Sequence, residues 1–105
     1  MFEIFKNLFK IGNSQNLSKF IEEGAFLADV RSPNEYSQGS VTGAVNIPLN
    51  TLPSQLSKFK DKRNIIVFCR SGNRSSQAKS ILEQNGFNNI INGGTWQNVN
   101  KFVNN

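Results

Sequence analysis

The sequence predicts an α/β domain in which a parallel sheet is covered by helices on both faces. Two observations carry this. The candidate strands are short, unbroken apolar runs rather than alternating patterns, as strands buried on both faces are. Segments with apolar residues at helical spacing fall between those runs, and strand and helix in alternation build a parallel sheet. At 105 residues the chain has room for one core, so the alternation describes a single domain.

The opening MFEIFKNLFKIG places Met1, Ile4, Phe5, Leu8 and Ile11 at helical spacing, so residues 1–12 read as an amphipathic extension ahead of a domain spanning 13–103. Two readings fit it: an added helix packing on the domain, or an element that docks a partner or a membrane surface. Glu3, Lys6 and Lys10 interrupt any signal-peptide core and no small-residue cleavage site follows, which makes a cytoplasmic location the expectation.

Leu17, Phe20 and Ile21 stand at i, i+3 and i+4 and predict a helix, which Gly24 is placed to end with a left-handed residue. AFLADV then reads as a strand that stops where Ser32 caps a short helix and Pro33 takes its first position. A second strand, AVNIPL, is closed by Pro48. Leu52, Leu56 and Phe59 predict a further helix, with Pro53 tolerated near its start. Ile65 to Phe68 is the most β-prone run and ends on Cys69. A helix marked by Ala78, Ile81 and Leu82 opens at Ser75 or Ser76 and stops at Gly86, and FNNIIN forms the last strand. The asparagine-rich end from Asn98 to Asn105 is expected to fray.

Hydrophobic residues make up 37% and charged residues 18%, values of a folding chain rather than a membrane span or a solvated disordered one. Twelve Lys and Arg against seven Asp and Glu give +5, which favours anionic partners. The basic residues are scattered and not interleaved with aromatics, which argues against nucleic acid. A lone cysteine excludes an internal disulfide, and the absence of histidine removes the commonest metal ligand and general base. No metal site and no cofactor is expected.

Cys69 is followed by the loop RSGNRS. Ser71 and Gly72 have little bulk, so the backbone can curl and turn several N–H groups inward as an anion-binding nest at the start of a helix. In such surroundings, with Arg70 and Arg74 close in sequence, a thiol pKa can fall from about 8.5 to between roughly 3.5 and 7.5 without an imidazole partner. The competing reading is a buried structural cysteine, but that leaves the crowding of Arg70, Gly72 and Arg74 into one turn without a reason.

The segment CRSGNRS resembles the active-site loop of the rhodanese-like sulfurtransferases. FLADVRSPNEYSQGSVTGAVNIPL is similar to that family's strand ending in DVR, its acidic-aromatic pair and its GAxNIP segment, and NIINGGTW to its last strand and double glycine. The resemblance runs from about Leu17 to Val99 and implies a three-layer α/β/α fold with a mainly parallel sheet of four to five strands. It further implies that Cys69 takes sulfur from a small anionic donor such as thiosulfate, holds it as a persulfide and passes it to cyanide, a thiol or a sulfur-acceptor protein. Residues Arg70, Ser71, Gly72, Asn73, Arg74 and Ser75 would cradle the donor, with Arg70 and Arg74 orienting it.

From Cys69 to Arg74 the loop has six residues, the length that goes with sulfur transfer in this family. Related phosphatases and arsenate reductases use a loop one residue longer, which leaves their chemistry, like that of a non-catalytic docking module, as the weaker alternative. Asp29 and Arg31 are expected to support the site, Arg31 by pairing with Glu35 and Asp29 by accepting N–H groups at the strand end. Trp96 is expected in the core or a pocket wall. Ser40 and Thr42 stand where the family usually has histidine and often proline.

Overall fold

A computed structural model describes residues 12–103, so all of the amphipathic extension before Gly12 lies outside the described residues. Helix α1 (Ser14–Glu22) is capped by Asn13, whose side chain accepts the Asn16 N–H. There follow β1 (Phe26–Asp29), α2 (Pro33–Ser37), β2 (Val45–Asn46) and β3 (Ile65–Cys69). The chain continues through α3 (Asn73–Gln84), β4 (Ile90–Thr95) and α4 (Trp96–Val103). The strands form one four-stranded sheet in the order β2-β1-β3-β4, with every neighbouring pair parallel.

Successive residues of β3 point to opposite faces and feed two cores. Ile65, Val67 and Cys69 pack with Leu52, Phe59, Ala78 and Leu82, on the face that α3 covers. Ile66 and Phe68 pack with Leu17, Val41 and Val99, beneath α1 and α4. All of β3 is buried, the pattern its unbroken apolar run predicts, and the layers are α/β/α.

Several elements differ from the sequence reading: β2 is shorter than AVNIPL, and β4 starts at Ile90 rather than Phe87 and runs on to Thr95. Leu52–Ser54 and Leu56–Phe59 are two 3-10 turns rather than one α-helix; Pro53 lacks an N–H, and Gln55, at φ −121° and ψ 24°, leaves helical geometry between them. Leu52 and Phe59 still point inward and are fully buried. The expected fraying tail is instead α4 as far as Val103: Val99, Phe102 and Val103 recur at i, i+3 and i+4 and pack with Leu17 of α1. Helix α3 begins at Asn73 rather than at Ser75 or Ser76, which makes half of the cysteine loop the first turn of a helix.

Strand β4 follows β3 in register from Ile65 opposite Ile90 to Val67 opposite Asn92, then slips so that Cys69 faces Thr95. Gly93 and Gly94 take up the extra length. Gly94 has a φ of 80°, and a Cβ on Gly93 would stand 2.5 Å from Val99 Cγ2 and 3.0 Å from Ile66 Cγ2. Among the described residues no helix is long and apolar enough to cross a membrane.

Candidate active site

Cys69 closes β3, and its side chain is fully buried at the strand's carboxyl end. The chain then passes through Arg70 and Ser71 to Gly72, which precedes α3 in the left-handed region at φ 98°. That conformation suits glycine because it carries no Cβ. It turns the Gly72 N–H onto Cys69 Sγ at 3.0 Å. The Ser75 N–H donates to the same sulfur at 3.4 Å, and the Ser75 hydroxyl lies 3.3 Å from it. The first turn of a helix has N–H groups with no partner in the helix, and here the sulfur receives one of them. Burial pushes the Cys69 thiol up, but hydrogen bonds from the Ser75 hydroxyl and from the N–H groups of Ser75, Ser71 and Gly72 outweigh it, so the pKa falls below the ordinary thiol value. The loop can therefore hold a thiolate with no histidine present.

The two arginines of the loop separate. Arg74 forms a fork with Glu35, its Nη1 to Oε1 at 2.7 Å and its Nη2 to Oε2 at 3.0 Å. Glu35 Oε1 also accepts from the Ser32 N–H and hydroxyl, which closes a capping box on α2. Arg74 thus ties α3 to α2 and fixes the loop's far end. Arg70 is exposed and lines a cleft of about 320 Å³ together with Arg31, Gln38, Gly39 and Trp96. Trp96 is half-buried and lies under the Arg31 guanidinium, 5.3 Å from ring centre to Cζ, as part of a pocket wall.

Arg31 does not pair with Glu35 as its spacing suggested. It binds Asp29, with Nη2 2.7 Å from Oδ2, in a pair that burial leaves almost no access to water. Asp29, two residues upstream at the end of β1, is the nearer buried charge, and Glu35 is already engaged by Ser32 and Arg74. Asp29 also accepts the Arg31 N–H at 3.0 Å and the Ser40 hydroxyl at 2.7 Å, so Ser40 braces this carboxylate. Of the other loop residues, Ser71 and Asn73 are exposed on the rim, and Asn73 Oδ1 accepts from Gln77.

Fixing Glu35 has a consequence for stability. Its hydrogen bond with Arg74, followed by those with Ser32, lowers its pKa from 4.5 to about 2. Because the folded value lies below the unfolded one, the ionised carboxylate stabilises the fold fully above 4.5 and loses that contribution as pH falls through about 2. Urea unfolding between these values should show stability dropping with acid, and Glu35→Gln should flatten the slope; an unchanged slope would show the pair to be inert.

One residue of the site was missed by sequence reasoning. Asn92 of β4 is buried, and its Oδ1 accepts from the Ser75 hydroxyl at 2.7 Å and the Gly94 N–H at 3.0 Å, while its Nδ2 donates to the Gly72 carbonyl at 3.1 Å. A polar residue inside the apolar run FNNIIN was the available signal, but its partners lie 17 and 20 positions away.

The rhodanese-like domain family matches residues 13–97, which takes in all four strands and the cysteine loop. This chain belongs to the rhodanese-like domain family. A sulfurtransferase of Allochromatium vinosum is 34% identical over 82 residues, 76% of this chain and 77% of that protein. The thiosulfate sulfurtransferase PspE of Escherichia coli is 36% identical, across 68% of this chain and 70% of its own. Among solved structures, a human single-domain sulfurtransferase superposes with a TM-score of 0.70 at 26% identity, covering 84% of this chain and 92% of the other. A rhodanese with anions from E. coli gives 0.65 at 34% identity, covering 71% and 91%. These relatives give the rhodanese-like chain a general role in sulfur transfer. The matched stretch includes the loop from Cys69 to Arg74, which Glu35 holds through Arg74 and Asn92 through the Gly72 carbonyl.

Proposed function

We propose that this protein is a sulfurtransferase that carries sulfane sulfur as a persulfide on Cys69, with thiosulfate as a donor. The observation that carries the reading is the sulfur held by the Gly72 and Ser75 N–H groups at the start of α3. The Cys69 thiolate attacks the outer sulfur of thiosulfate; a sulfur–sulfur bond forms, the bond to the sulfonyl group breaks, and sulfite leaves with the electron pair. An acceptor such as cyanide, a thiol or a partner protein's cysteine then attacks the outer sulfur and releases the thiolate. Both steps gather negative charge on sulfur inside the loop, where preorganised N–H donors stabilise it without reorganisation.

Within this reading the roles divide. The backbone from Arg70 through Ser75 is the cradle, Arg74 positions it through Glu35, and the Asp29–Arg31 pair supports the neighbouring cleft wall. Arg70, exposed at the cleft, recruits the anionic donor. Arg70→Ala should raise KM for thiosulfate about fivefold with little change in thermal stability, the loss of one exposed charge-assisted contact. A KM that does not move would remove Arg70 from donor binding.

The reaction itself is tested by incubating the protein with thiosulfate and weighing it intact. A gain of one sulfur atom is expected, reversed by cyanide with release of thiocyanate. An unchanged mass at every donor concentration would overturn the reading.

A further inference from the structure

The hydrogen bonds around Ser75 leave an unresolved competition. Ser75 has one hydroxyl proton, and two groups stand within reach of it: Cys69 Sγ at 3.3 Å and Asn92 Oδ1 at 2.7 Å. The orientation of the Asn92 amide decides between them. Its Nδ2 faces the Gly72 carbonyl, which can only accept, and its Oδ1 faces the Gly94 N–H, which can only donate. Turning the amide over would set oxygen against oxygen and N–H against N–H, so the acceptor side must face Ser75. At 2.7 Å from that oxygen, the hydroxyl proton belongs to Asn92. The Ser75 oxygen is then left with its lone pairs towards the sulfur.

We propose that Asn92 is a positioning residue for Cys69 that acts through Ser75: it holds the serine proton while the cysteine is a thiol, and competes with the sulfur for it when the cysteine ionises. In the resting protein the thiol donates its S–H to Ser75 Oγ, which passes its own proton to Asn92 Oδ1. When the thiol proton leaves to solvent, the serine hydroxyl swings from Asn92 to the sulfur and adds a donor to those of Gly72 and Ser75. Asn92 thereby opposes ionisation until the serine turns, while its Nδ2 keeps the cradle in place through the Gly72 carbonyl. The proposal rests on Cys69 being the reactive group, but not on which sulfur compound it meets.

The charged groups around the sulfur differ from Asn92 in their connections. Arg70 is next in the chain and exposed, Arg74 on α3 is forked onto Glu35 of α2, and Arg31 is paired with Asp29 at the end of β1. Strand β4 brings no ionisable side chain. None of these groups is hydrogen-bonded to Ser75 Oγ, so a change made at Asn92 reaches the sulfur by two routes, the serine proton and the Gly72 carbonyl. A double-mutant cycle separates them.

The test is the pH dependence of Cys69 alkylation by iodoacetamide in the full chain and in Asn92→Leu, Ser75→Ala and the double variant. Leucine keeps the branched outline of asparagine, with bulkier ends, and accepts nothing. Asn92→Leu should raise the thiolate fraction below the midpoint about threefold more when Ser75 is present than in the Ser75→Ala background, the worth of one hydrogen bond returned to the sulfur. Equal effects in the two backgrounds, or a larger effect without Ser75, would overturn the proposal. A second readout needs no change at Asn92. As the chain has one cysteine, its infrared S–H stretch is a single band at acid pH. It should lie at the lowered frequency of a hydrogen-bonded thiol and move to the free-thiol position in Ser75→Ala; a free-thiol band in the unaltered protein would overturn the assignment. Neither readout uses sulfur transfer, so a protein that fails to accept sulfur and one whose serine proton lies elsewhere give different results.

Discussion

Cys69→Ala should reduce thiosulfate-dependent thiocyanate formation to the uncatalysed background, a loss on the order of 10⁴-fold or more, as expected when the group that forms the covalent intermediate is removed. Described residues offer no substitute: Cys69 is the chain's single cysteine and there is no histidine. The mass gain on incubation with thiosulfate should vanish with it. Stability should fall far less, by about 1–3 kcal/mol, because the Gly72 and Ser75 N–H groups lose their acceptor in a buried setting. Cys69→Ser should be as inactive yet more stable than Cys69→Ala, since a hydroxyl oxygen can still accept those two donors. If Cys69→Ala kept its turnover, sulfur would have to travel by another group and the loop would be a structural feature only.

Gly93→Ala should cost about 1–3 kcal/mol of stability by urea unfolding, the usual cost of overpacking a filled core. The new methyl would stand 2.5 Å from Val99 Cγ2 and 3.0 Å from Ile66 Cγ2, inside the contact distance of real side chains and against the centre of the sheet. Relief can come only from α4 moving outward or from β4 moving away from β3. The double variant Gly93→Ala with Val99→Ala tests this, because it removes the nearer of the two obstructing groups; it should recover part of the loss, whereas simple additivity would place the strain elsewhere. A displaced β4 would also carry Asn92 away from Gly72 and Ser75. Losing Asn92 frees the serine proton for the sulfur, so Gly93→Ala should raise the thiolate fraction of Cys69 below its midpoint, as Asn92→Leu does, under conditions where the variant is still folded.

Much of the fold was legible because it is written in local spacing. The run ending at Cys69 is the most β-prone in the chain and reads as a strand buried on both faces, and the alternation of strands with helical segments predicts a parallel sheet. Ser32 reads as a helix cap with Pro33 in the first position, and the structure has both, with Glu35 completing a capping box that the sequence reading did not assign to it. Where the reading failed, local spacing had been overruled by a neighbour. Leu52, Leu56 and Phe59 are spaced for an α-helix, but Pro53 and the geometry of Gln55 break it into 3-10 turns that bury the outer two of these residues. The asparagines near the end looked like a solvated tail, yet Val99, Phe102 and Val103 find an apolar face opposite α1 and the segment becomes a helix as far as Val103.

The sequence by itself determined the parallel α/β class, the position of the cysteine at a strand's carboxyl end and the six-residue length of the loop that follows. These rest on periodicity and on residues adjacent in the chain. Only the tertiary structure decided which arginine is occupied, which carboxylate occupies it and where the Ser75 proton goes. Arg74 meets Glu35 across 39 positions and Asn92 meets Gly72 across 20, distances at which no spacing rule applies. Such partners are chosen by the packing of helices against the sheet, and by the requirement that each polar group buried there find a hydrogen bond.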